Sequence, residues 1–287
     1  MDYTGIVIFF MEVILMALEN WRFIETEPLD AYTNMAVDHA ILESVAKGES
    51  PPTIRFYRWH PPGVTIGYFQ KANKEIDIDA CQKNGVDVVR RLTGGRTVLH
   101  QHELTYSVIA PENHPKVTGT ILESYLAISR GLLFGLENLG VKGQLVNGAE
   151  SKRKGTAACF DAPSWYELVV DNKKIIGSAQ TRKQGALLQH GSILIELDNN
   201  LLFNILKFSS DKVRRAARER FKGKAISLAE VMERVPDYSQ VVQAFNDGLS
   251  KGLDINLSDG KLNDSEKQLT EELEVGKYRT DQWNYKR

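Results

Sequence analysis

The strongest constraint on the fold is a segment of alternating apolar and polar residues between positions 164 and 197. It contains two such runs joined at Asp171-Asn172, SWYELVV and KKIIGSAQ, and then LLQHGSILIEL at 187–197. Alternation with a period of two is typical of β-strands, and the Asp-Asn pair favours a hairpin turn. The segment therefore predicts a β-hairpin followed by at least one more strand.

Two long helices and further strands are predicted before this segment. Residues 30–47 carry apolar positions at helical spacing after Asp30, which is a candidate cap. Thr120-x-x-Glu123 has the spacing of a capping box and begins a helix that ends at Gly140. Short β-rich runs between the two helices predict strands at 53–59, 63–69, 87–92 and 104–110.

The second half of the chain changes from strands to helices. Residues 141–156, which include Asn147-Gly148, are predicted as a mobile surface loop. From Leu201 onward the pattern is helical, with a second capping box at Ser227-x-x-Glu230 and an amphipathic run over 238–253. Together these patterns predict the α+β class, with mixed, largely antiparallel sheets flanked by helices and a helical C-terminal part.

Composition limits the classes of partner. The chain has 36 Lys and Arg against 37 Asp and Glu, a net charge of −1, with 25% charged and 42% hydrophobic residues. This balance is that of an ordinary globular protein and excludes intrinsic disorder. It argues against nucleic acid or an anionic membrane surface as a partner, because both favour a basic excess. The two cysteines, Cys81 and Cys159, are too few for a disulfide framework and suit a reducing compartment.

The first residues raise a separate question. The chain is apolar from Gly5 to Leu18, but Glu12 interrupts the run and no positive residue precedes it. It is neither a good signal peptide nor a good membrane span. Our hypothesis is that translation starts at Met11 or Met16, which makes residues 1–15 a non-native extension; the alternatives are an extra strand or a weak membrane-surface anchor. No later stretch suits a membrane span, and we predict a cytoplasmic protein.

Three local patterns are candidates for chemistry, and the first is the segment RRLTGGRTVLH at 90–100. Paired glycines after a strand let backbone N–H groups approach a ligand carbonyl or phosphate, and three arginines add positive potential. The alternative is a hairpin turn with solvated arginines. The segment is not a P-loop, because no Gly-Lys-Ser/Thr follows at the required spacing.

The second pattern surrounds Cys159, in the string ACFDAPSWYE. A cysteine among such residues is commonly a small buried hydrophobe. Lys174, however, opens the strand that returns across the hairpin from 165–170. An ammonium near a thiol favours the thiolate, which is the species that attacks ester and thioester carbonyls. Cys159 is therefore a candidate nucleophile, and Cys81 is the expected inert thiol.

The third pattern is Gln189-His190-Gly191-Ser192, a polar group on an otherwise apolar strand. His190 is either a site residue or a hydrogen-bonded histidine of the core. No histidine pair has metal-ligand spacing, and two isolated cysteines disfavour a zinc site. The absence of a Gly-x-Ser-x-Gly elbow disfavours a serine hydrolase.

Together these motifs resemble one family. RRLTGGRTVLHQHELTYS, ACFDAPSWYELVV, KKIIGSAQTRKQGALLQHGSILIELD and the terminal WNYKR are similar to the LipM-type octanoyltransferases of the biotin/lipoate protein ligase superfamily. The resemblance covers the chain from about Trp21 to Arg287. It implies a biotin/lipoate protein ligase-like catalytic domain at residues 16–250, whose α+β body reaches to about residue 200, and a polar helical tail at 251–287.

The resemblance also implies an activity. It is the transfer of octanoyl from the phosphopantetheine thioester of acyl carrier protein to a lysine of a lipoyl domain, with the glycine cleavage H protein as the expected acceptor. Because a thioester donor is already activated, no cofactor is expected. Cys159 matches the family's acyl-thioester nucleophile, and Lys174 matches the lysine that would lower the cysteine pKa and polarise the acyl carbonyl. The implied substrate-binding residues are Arg91, Gly94, Gly95, Arg96, His100, Gly177, Ser178 and His190.

The chain departs from the ATP-using lipoate ligases at two places. Arg96 stands where those ligases carry a third glycine, and Gln101-His102-Glu103-Leu104 replaces their Asp-x-Gly-Asn. An ATP-dependent lipoate or biotin ligase, an amidotransferase between lipoyl domains and a non-catalytic module that docks lipoyl domains remain alternatives.

A basic stretch offers a docking surface for the two protein partners, which are typically acidic. Its cations predict a local basic face, although a solvated helix face is the alternative. They are Arg214, Arg215, Arg218, Arg220, Lys222 and Lys224.

Overall fold

The computed structural model describes residues 18–147 and 166–286. Within these ranges the strands are β1 Glu19–Glu25, β2 Thr53–Tyr57, β3 Gly63–Ile66, β4 Asp87–Arg90, β5 Val98–His100, β6 Glu103–Pro111, β7 Gln144–Asn147, β8 Tyr166–Val170, β9 Lys173–Lys183, β10 Ala186–Leu194 and β11 Ile255–Asp259. The helices are α1 Ala31–Ala46, α2 Ala72–Glu75, α3 Ile78–Lys83, α4 Ile121–Asn138, α5 Asn199–Ile205, α6 Asp211–Phe221, α7 Leu228–Met232, α8 Tyr238–Leu253, α9 Asp264–Leu273 and α10 Asp281–Asn284, with a π-helical turn at Glu274–Tyr278. The extension predicted at residues 1–15 lies outside the described residues.

The strands form two sheets. The large sheet has eight strands in the order β11-β1-β2-β6-β10-β9-β8-β7, and the small sheet has the order β4-β3-β5. β1 runs parallel to β2 and to β11, whereas the other neighbours in the large sheet are antiparallel. The β1–β2 pair is parallel because the chain crosses over through α1 between them. These sheets and their flanking helices confirm the predicted α+β class.

The predicted hairpin at Asp171-Asn172 joins β8 to β9. Both turn residues have positive φ, 50° and 60°, as a type I′ turn requires, and Asp and Asn tolerate this conformation better than most residues. β10 follows through a second hairpin and pairs with both β9 and β6. His190 therefore stands in the middle of the large sheet, between Ala179 and Ser107.

The predicted helix starts are also confirmed. Asp30 caps α1 by accepting the Thr33 N–H at 2.8 Å, and Thr120 and Glu123 form the capping box of α4. Alternate residues of β6 from Leu104 to Ala110 belong to one apolar cluster, and Ile109 belongs to another, because successive side chains of a strand point to opposite faces. One face of the large sheet packs against α4 and α8, and the other packs against α1.

Some predicted boundaries are wrong. The strands predicted at 53–59, 63–69 and 87–92 end at Tyr57, Ile66 and Arg90. Residues 144–147, predicted within a surface loop, form β7 because they pair with β8. Residues 148–156 of that loop lie outside the described residues.

The C-terminal segment at 251–287, predicted as a polar helical tail, also contains a strand. β11 pairs with β1, and α9 packs on α1. The domain boundaries at residues 16, 250 and 251 stay a prediction. Among the described helices, none combines the length and the apolar composition that a membrane span needs.

Candidate active site

A cavity of about 370 Å³ lies between α1, α4, the small sheet and the edge of β9. β8 pairs with β9 only as far as Ile176, so no strand in the described ranges covers this edge from Gly177 onward. The volume suits a small-molecule site. The sequence-predicted site residues that the structure describes all line the cavity: Lys174, Arg91, Gly94, Gly95, Arg96, His100, Gly177, Ser178 and His190. Residues from both halves of the chain thus meet at one place.

Arg91 organises the glycine loop at one wall of the cavity. Its Nη2 donates to the carbonyl oxygens of Gly94 at 2.7 Å and Arg96 at 2.8 Å. Gly95 has φ 92°, in the left-handed region that favours glycine. A Cβ on Gly67 would lie 2.0 Å from the Gly95 carbonyl oxygen, so this close approach of the backbone also requires glycine.

A buried chain of hydrogen bonds runs from Arg91 to α1. Arg91 Nε donates to Thr93 Oγ1 at 3.0 Å, and Thr93 Oγ1 lies 2.7 Å from His190 Nε2. His190 Nδ1 lies 3.3 Å from Asp38 Oδ2. Burial lowers the pKa of His190 below its ordinary value. Burial raises the pKa of Asp38, but the hydrogen bond from His190 and the Arg55 guanidinium bring that pKa below its ordinary value.

These pKa directions fix the protonation of the chain. A neutral imidazole faces an ionised carboxylate, so His190 Nδ1 donates to Asp38 and Nε2 accepts the Thr93 hydroxyl proton. Thr93 Oγ1 remains the acceptor for Arg91. Each donor has a defined acceptor, which fixes the orientation of the Arg91 guanidinium above the cavity.

A second chain from Arg91 has the same order of groups. Arg91 Nη1 donates to Thr65 Oγ1 at 2.9 Å, and this hydroxyl lies 2.9 Å from His100 Nε2. His100 Nδ1 lies 2.6 Å from Glu103 Oε1. The indole of Trp59 stacks on the His100 ring with centroids 4.1 Å apart. Both histidines are therefore held between a hydroxyl and a carboxylate, in contact with the cavity.

Gly191 allows two side chains to meet across β10. Tyr106 donates its hydroxyl to Ser178 Oγ at 2.7 Å, and Gln189 Nε2 donates to the Tyr106 oxygen at 3.0 Å. A Cβ on Gly191 would lie 2.5 Å from the Gly177 carbonyl oxygen and 2.7 Å from Tyr106 Cε1. Any larger residue at 191 would therefore displace the Ser178 hydroxyl.

Lys174, near the start of β9, also lines the cavity. Its side chain is 6% exposed, and Nζ donates to Glu167 Oε1 at 3.2 Å. The link between α6 and α7 holds its backbone: the Lys174 N–H donates to the Lys224 carbonyl at 2.7 Å, and its own carbonyl accepts the Ile226 N–H at 3.0 Å. Burial and the charge of Arg96 lower the pKa of Lys224, so several cations surround this end of the cavity.

The two cysteines differ in what the structure shows. Cys159, the predicted nucleophile, lies outside the described residues. Its segment joins β7 to β8, and the residue after Tyr166 at the start of β8 is Glu167, which contacts Lys174. Cys81 is fully buried in α3, and burial together with the Asp77 charge raises its pKa to about 12. Burial and a raised pKa both favour the unreactive thiol form, and that Cys81 is inert stays a prediction.

Comparison with known proteins identifies the family. Residues 30–250 match the lipoyl protein ligase A/B catalytic domain. Octanoyltransferase LipM of Brevibacillus brevis is 48% identical over 276 residues, covering 94% of this chain and 100% of that protein. The chain belongs to the LipM-type octanoyltransferases. Octanoyltransferase LipM of Staphylococcus aureus is 45% identical over 275 residues, covering 94% of this chain and 99% of that protein. The resemblance carried by the motifs, and with it an acyltransferase enzyme, is confirmed.

Solved structures of lipoate protein ligases have the same fold as this octanoyltransferase. The bipartite lipoate protein ligase of Thermoplasma acidophilum superposes with a TM-score of 0.78 at 28% identity, covering 93% of this chain and 96% of that chain. A lipoate-protein ligase A bound with ATP gives a TM-score of 0.74 at 28% identity, covering 93% and 98%.

Sequence reasoning did not single out the residues that hold the cavity wall in place. Asp38, Thr65 and Glu103 each fix a histidine or the Arg91 guanidinium. One signal was available for Asp38, because a carboxylate on the apolar side of a predicted helix must find a buried partner. The partners of Thr65 and Glu103 depend on the order of strands, which local patterns do not contain.

Proposed function

We propose that this enzyme transfers an octanoyl group from the phosphopantetheine thioester of acyl carrier protein to a lysine of a lipoyl domain. The proposal includes a thioester intermediate on Cys159 and the glycine cleavage H protein as acceptor. The names of its relatives support octanoyl transfer. The Thermoplasma acidophilum structure, described as a lipoylation system with its E2 lipoyl domain, supports a lipoyl domain as acceptor. The observation that carries the proposal is the cavity that joins Lys174 to the glycine loop.

The cavity suits an eight-carbon acyl chain. Its apolar lining comes from several elements and includes Met35, Trp59, Val98, Ile121, Tyr125 and Ala179. Burial of one methylene contributes about 0.8 kcal/mol, so six methylenes contribute about 5 kcal/mol to binding. Gly94, Gly95 and Gly177 leave space because they have no side chains.

In the first step, the Cys159 thiolate attacks the carbonyl carbon of the donor thioester. A new C–S bond forms, the bond to the carrier's sulfur breaks, and the carrier leaves as a thiolate that takes up a proton. The Lys174 ammonium favours the attacking thiolate and stabilises the oxyanion, together with backbone N–H groups on the uncovered edge of β9 near Gly177. The exchange of one thioester for another needs no nucleotide.

In the second step, the acceptor lysine amine attacks the acyl-cysteine carbonyl. An amide bond forms, and the Cys159 thiolate leaves. The amine must lose one proton, and the acceptor is either the departing thiolate or Lys174, which is neutral at this stage if its ammonium gave the proton to the carrier thiolate in the first step. Because an amide is more stable than a thioester, this step runs downhill, and the two half-reactions predict ping-pong kinetics.

The decisive experiment separates the half-reactions. Incubation with octanoyl-carrier protein and without acceptor should add one octanoyl group, which intact-protein and peptide mass spectrometry would locate on Cys159. Cys159→Ser should abolish the thioester adduct, whereas the control Cys81→Ser should retain it. Transfer that proceeds without any adduct, through a ternary complex, would contradict the covalent mechanism. AMP release with free octanoate and ATP would instead identify a ligase.

The role of Lys174 is tested by comparing its alanine variant with that of the neighbouring Lys173. Lys174→Ala should slow octanoyl transfer by about 10²- to 10⁴-fold, the usual contribution of a positioned acid–base group. Lys173→Ala, one residue earlier in β9, should leave the rate within a few-fold of wild type. Single-turnover acylation of Cys159 is the measurement, and an equal loss in both variants would contradict the role assigned to Lys174.

The basic stretch at 214–224 stays a candidate docking face. α6 precedes the link that holds the Lys174 backbone, so a partner bound along α6 lies near the cavity. Part of its charge is already neutralised, because Arg214 pairs with Asp211 at 2.7 Å and Lys222 pairs with Glu219 at 2.8 Å. The cytoplasmic location stays a prediction from the sequence.

A further inference from the structure

Three lysines from separate elements converge beside the cavity, and we call them the lysine cluster: Lys183 at the end of β9, Lys277 in the π-helical turn and Lys286 near the C-terminus. Two of them flank a buried histidine, with Lys183 Nζ 3.3 Å from His39 Nε2 and Lys277 Nζ 3.4 Å from His39 Nδ1. Lys277 and Lys286 both lie over the ring of Trp283, at 4.0 Å and 3.6 Å from its centroid.

The cluster concentrates positive charge. Glu43 is a carboxylate beside it, with Oε1 3.1 Å from His39 Nε2. Burial and the charges of Lys183 and Lys286 lower the pKa of Lys277 to about 8. Burial and the two flanking lysines lower the pKa of His39 to about 3, so His39 is neutral near pH 7. These contacts thus bring three lysines and the Glu43 carboxylate together at one place.

The lysine cluster adjoins the cavity on two sides. Ala179 lines the cavity, and Lys183 lies on the same face of β9 because side chains alternate along a strand. Met35 also lines the cavity, and His39 lies one turn further along α1.

A third connection runs through the aromatic rings of Tyr68 and Phe69. Lys286 Nζ lies 4.0 Å from the centroid of the Tyr68 ring, which packs on Phe69 at 5.0 Å between centroids. The Phe69 side chain is 70% exposed, and its ring borders Gly94 of the cavity. An anion held at the lysine cluster would therefore lie beside the cavity mouth.

We propose that the lysine cluster binds the phosphate group of the donor's phosphopantetheine arm. This inference rests on the proposed function and names a second contact for the same substrate. The arm carries its thioester at one end and its phosphodiester at the other, so the two groups need separate sites. Gly177 and Lys183 are six residues apart, about 20 Å along an extended strand. Ammonium groups bind phosphate oxygens through charge-assisted hydrogen bonds, which supply the recognition.

The test compares three donors that differ only in the group attached to the pantetheine: octanoyl-pantetheine, octanoyl-phosphopantetheine and octanoyl-carrier protein. For wild type, KM should be lower with octanoyl-phosphopantetheine than with octanoyl-pantetheine. We define the KM ratio as KM for octanoyl-pantetheine divided by KM for octanoyl-phosphopantetheine. Lys183→Gln and Lys286→Gln should each reduce this ratio, and the double variant should reduce it by about tenfold, which corresponds to about 1.4 kcal/mol. Lys47→Gln, an exposed lysine at the end of α1, is the control and should retain the wild-type ratio.

Three outcomes would overturn the inference. They are an unchanged KM ratio in the double variant, an equal rise in KM for donors with and without phosphate, and a rise seen only with octanoyl-carrier protein. The last outcome would mean that the cluster contacts the carrier protein itself. Transfer from octanoyl-carrier protein by wild type tests the proposed function independently, so its failure is distinguishable from failure of the phosphate site. Lys183→Arg, which keeps the charge, should restore most of the ratio.

Discussion

At the scale of single residues, two of the three arginines of the 90–100 segment, Arg90 and Arg91, hold the protein's own backbone. The sequence pattern predicts positive potential directed at a ligand. In the structure, Arg90 Nη1 donates to the carbonyls of Gly67 at 2.9 Å and Gln70 at 2.8 Å, and Arg91 Nη2 donates to those of Gly94 and Arg96. A planar guanidinium with five N–H donors suits this task, because a glycine loop has no side chains with which to fix itself.

His39 provides a prediction on pH dependence. Its pKa is lowered to about 3 in the folded protein, against an ordinary value near 6.5. Between these values the unfolded chain binds a proton that the folded protein does not, so the free energy of unfolding falls as pH falls from about 6.5 towards 3. One histidine contributes up to about 1.4 kcal/mol per pH unit to this slope.

The His39→Gln variant should therefore lose stability less steeply than wild type between pH 6 and pH 4. Urea denaturation at several pH values measures the slope. His60→Gln, which replaces an exposed histidine, is the control. Identical slopes for His39→Gln and wild type would show that His39 is protonated in the folded protein.

At the scale of elements, the contact between α4 and α8 depends on small residues. Gly131 and Gly135 of α4 face Gly248 and Gly252 of α8. A Cβ on Gly248 would lie 2.3 Å from the Gly135 nitrogen and 2.7 Å from the Gly131 carbonyl oxygen. Backbone atoms in a helix cannot move aside, so this spacing of the two helices requires glycine. α4 also carries Ile121 and Tyr125, which line the cavity.

Gly248→Ala should accordingly push α8 away from α4. We expect the free energy of unfolding to fall by about 1–3 kcal/mol, as for other overpacked contacts. Urea denaturation measures the loss, and the KM for the octanoyl donor should rise because α4 forms a cavity wall. Gly276→Ala, where a Cβ would meet nothing within 4 Å, should not lower stability. A Gly248→Ala variant as stable as wild type would contradict this account of the helix contact.

At the scale of the whole molecule, the C-terminal segment packs against Arg90, next to the loop that forms one wall of the cavity. Asn284 Oδ1 accepts the Arg90 N–H at 2.9 Å, and Asn284 Nδ2 donates to the Tyr278 carbonyl at 2.7 Å. Arg90 Nη2 in turn donates to the Asn284 carbonyl at 2.9 Å. Because Arg90 also holds the turn after β3, the chain end supports the rim of the cavity.

Asn284→Ala should remove two of these contacts at a buried position. The Arg90 N–H and the Tyr278 carbonyl would lose their partner, and each unsatisfied group costs about 1–3 kcal/mol. We expect a fall of about 2–5 kcal/mol in the free energy of unfolding by urea denaturation, with a higher KM for the donor. Asn204→Ala, at an exposed position of α5, should change stability by less than about 0.5 kcal/mol. Comparable losses of stability in both variants would contradict the role assigned to the Asn284 hydrogen bonds.

Local patterns were sufficient for the elements whose signals lie within a few residues. The Asp171-Asn172 turn, the Asp30 cap and the Thr120–Glu123 capping box are all found as predicted. Strand ends were less predictable, because they depend on contacts with distant residues. For example, β3 ends at Ile66, and the next residue, Gly67, packs closely against the Gly95 carbonyl oxygen. β7 and β11 were missed because short polar strands are specified by their partners more than by their own composition.

The sequence by itself determined the strand and helix periods, the caps, the family motifs and the residue types of the candidate site. The tertiary structure decided which of these residues meet. Asp38, Thr93 and His190 form one hydrogen-bonded chain because α1, the glycine loop and β10 pack together. The lysine cluster likewise joins the end of β9 to the last residues of the chain. Backbone geometry imposes periodicity over a few residues, whereas contacts between distant residues depend on the order of strands and the packing of layers, which no local pattern records.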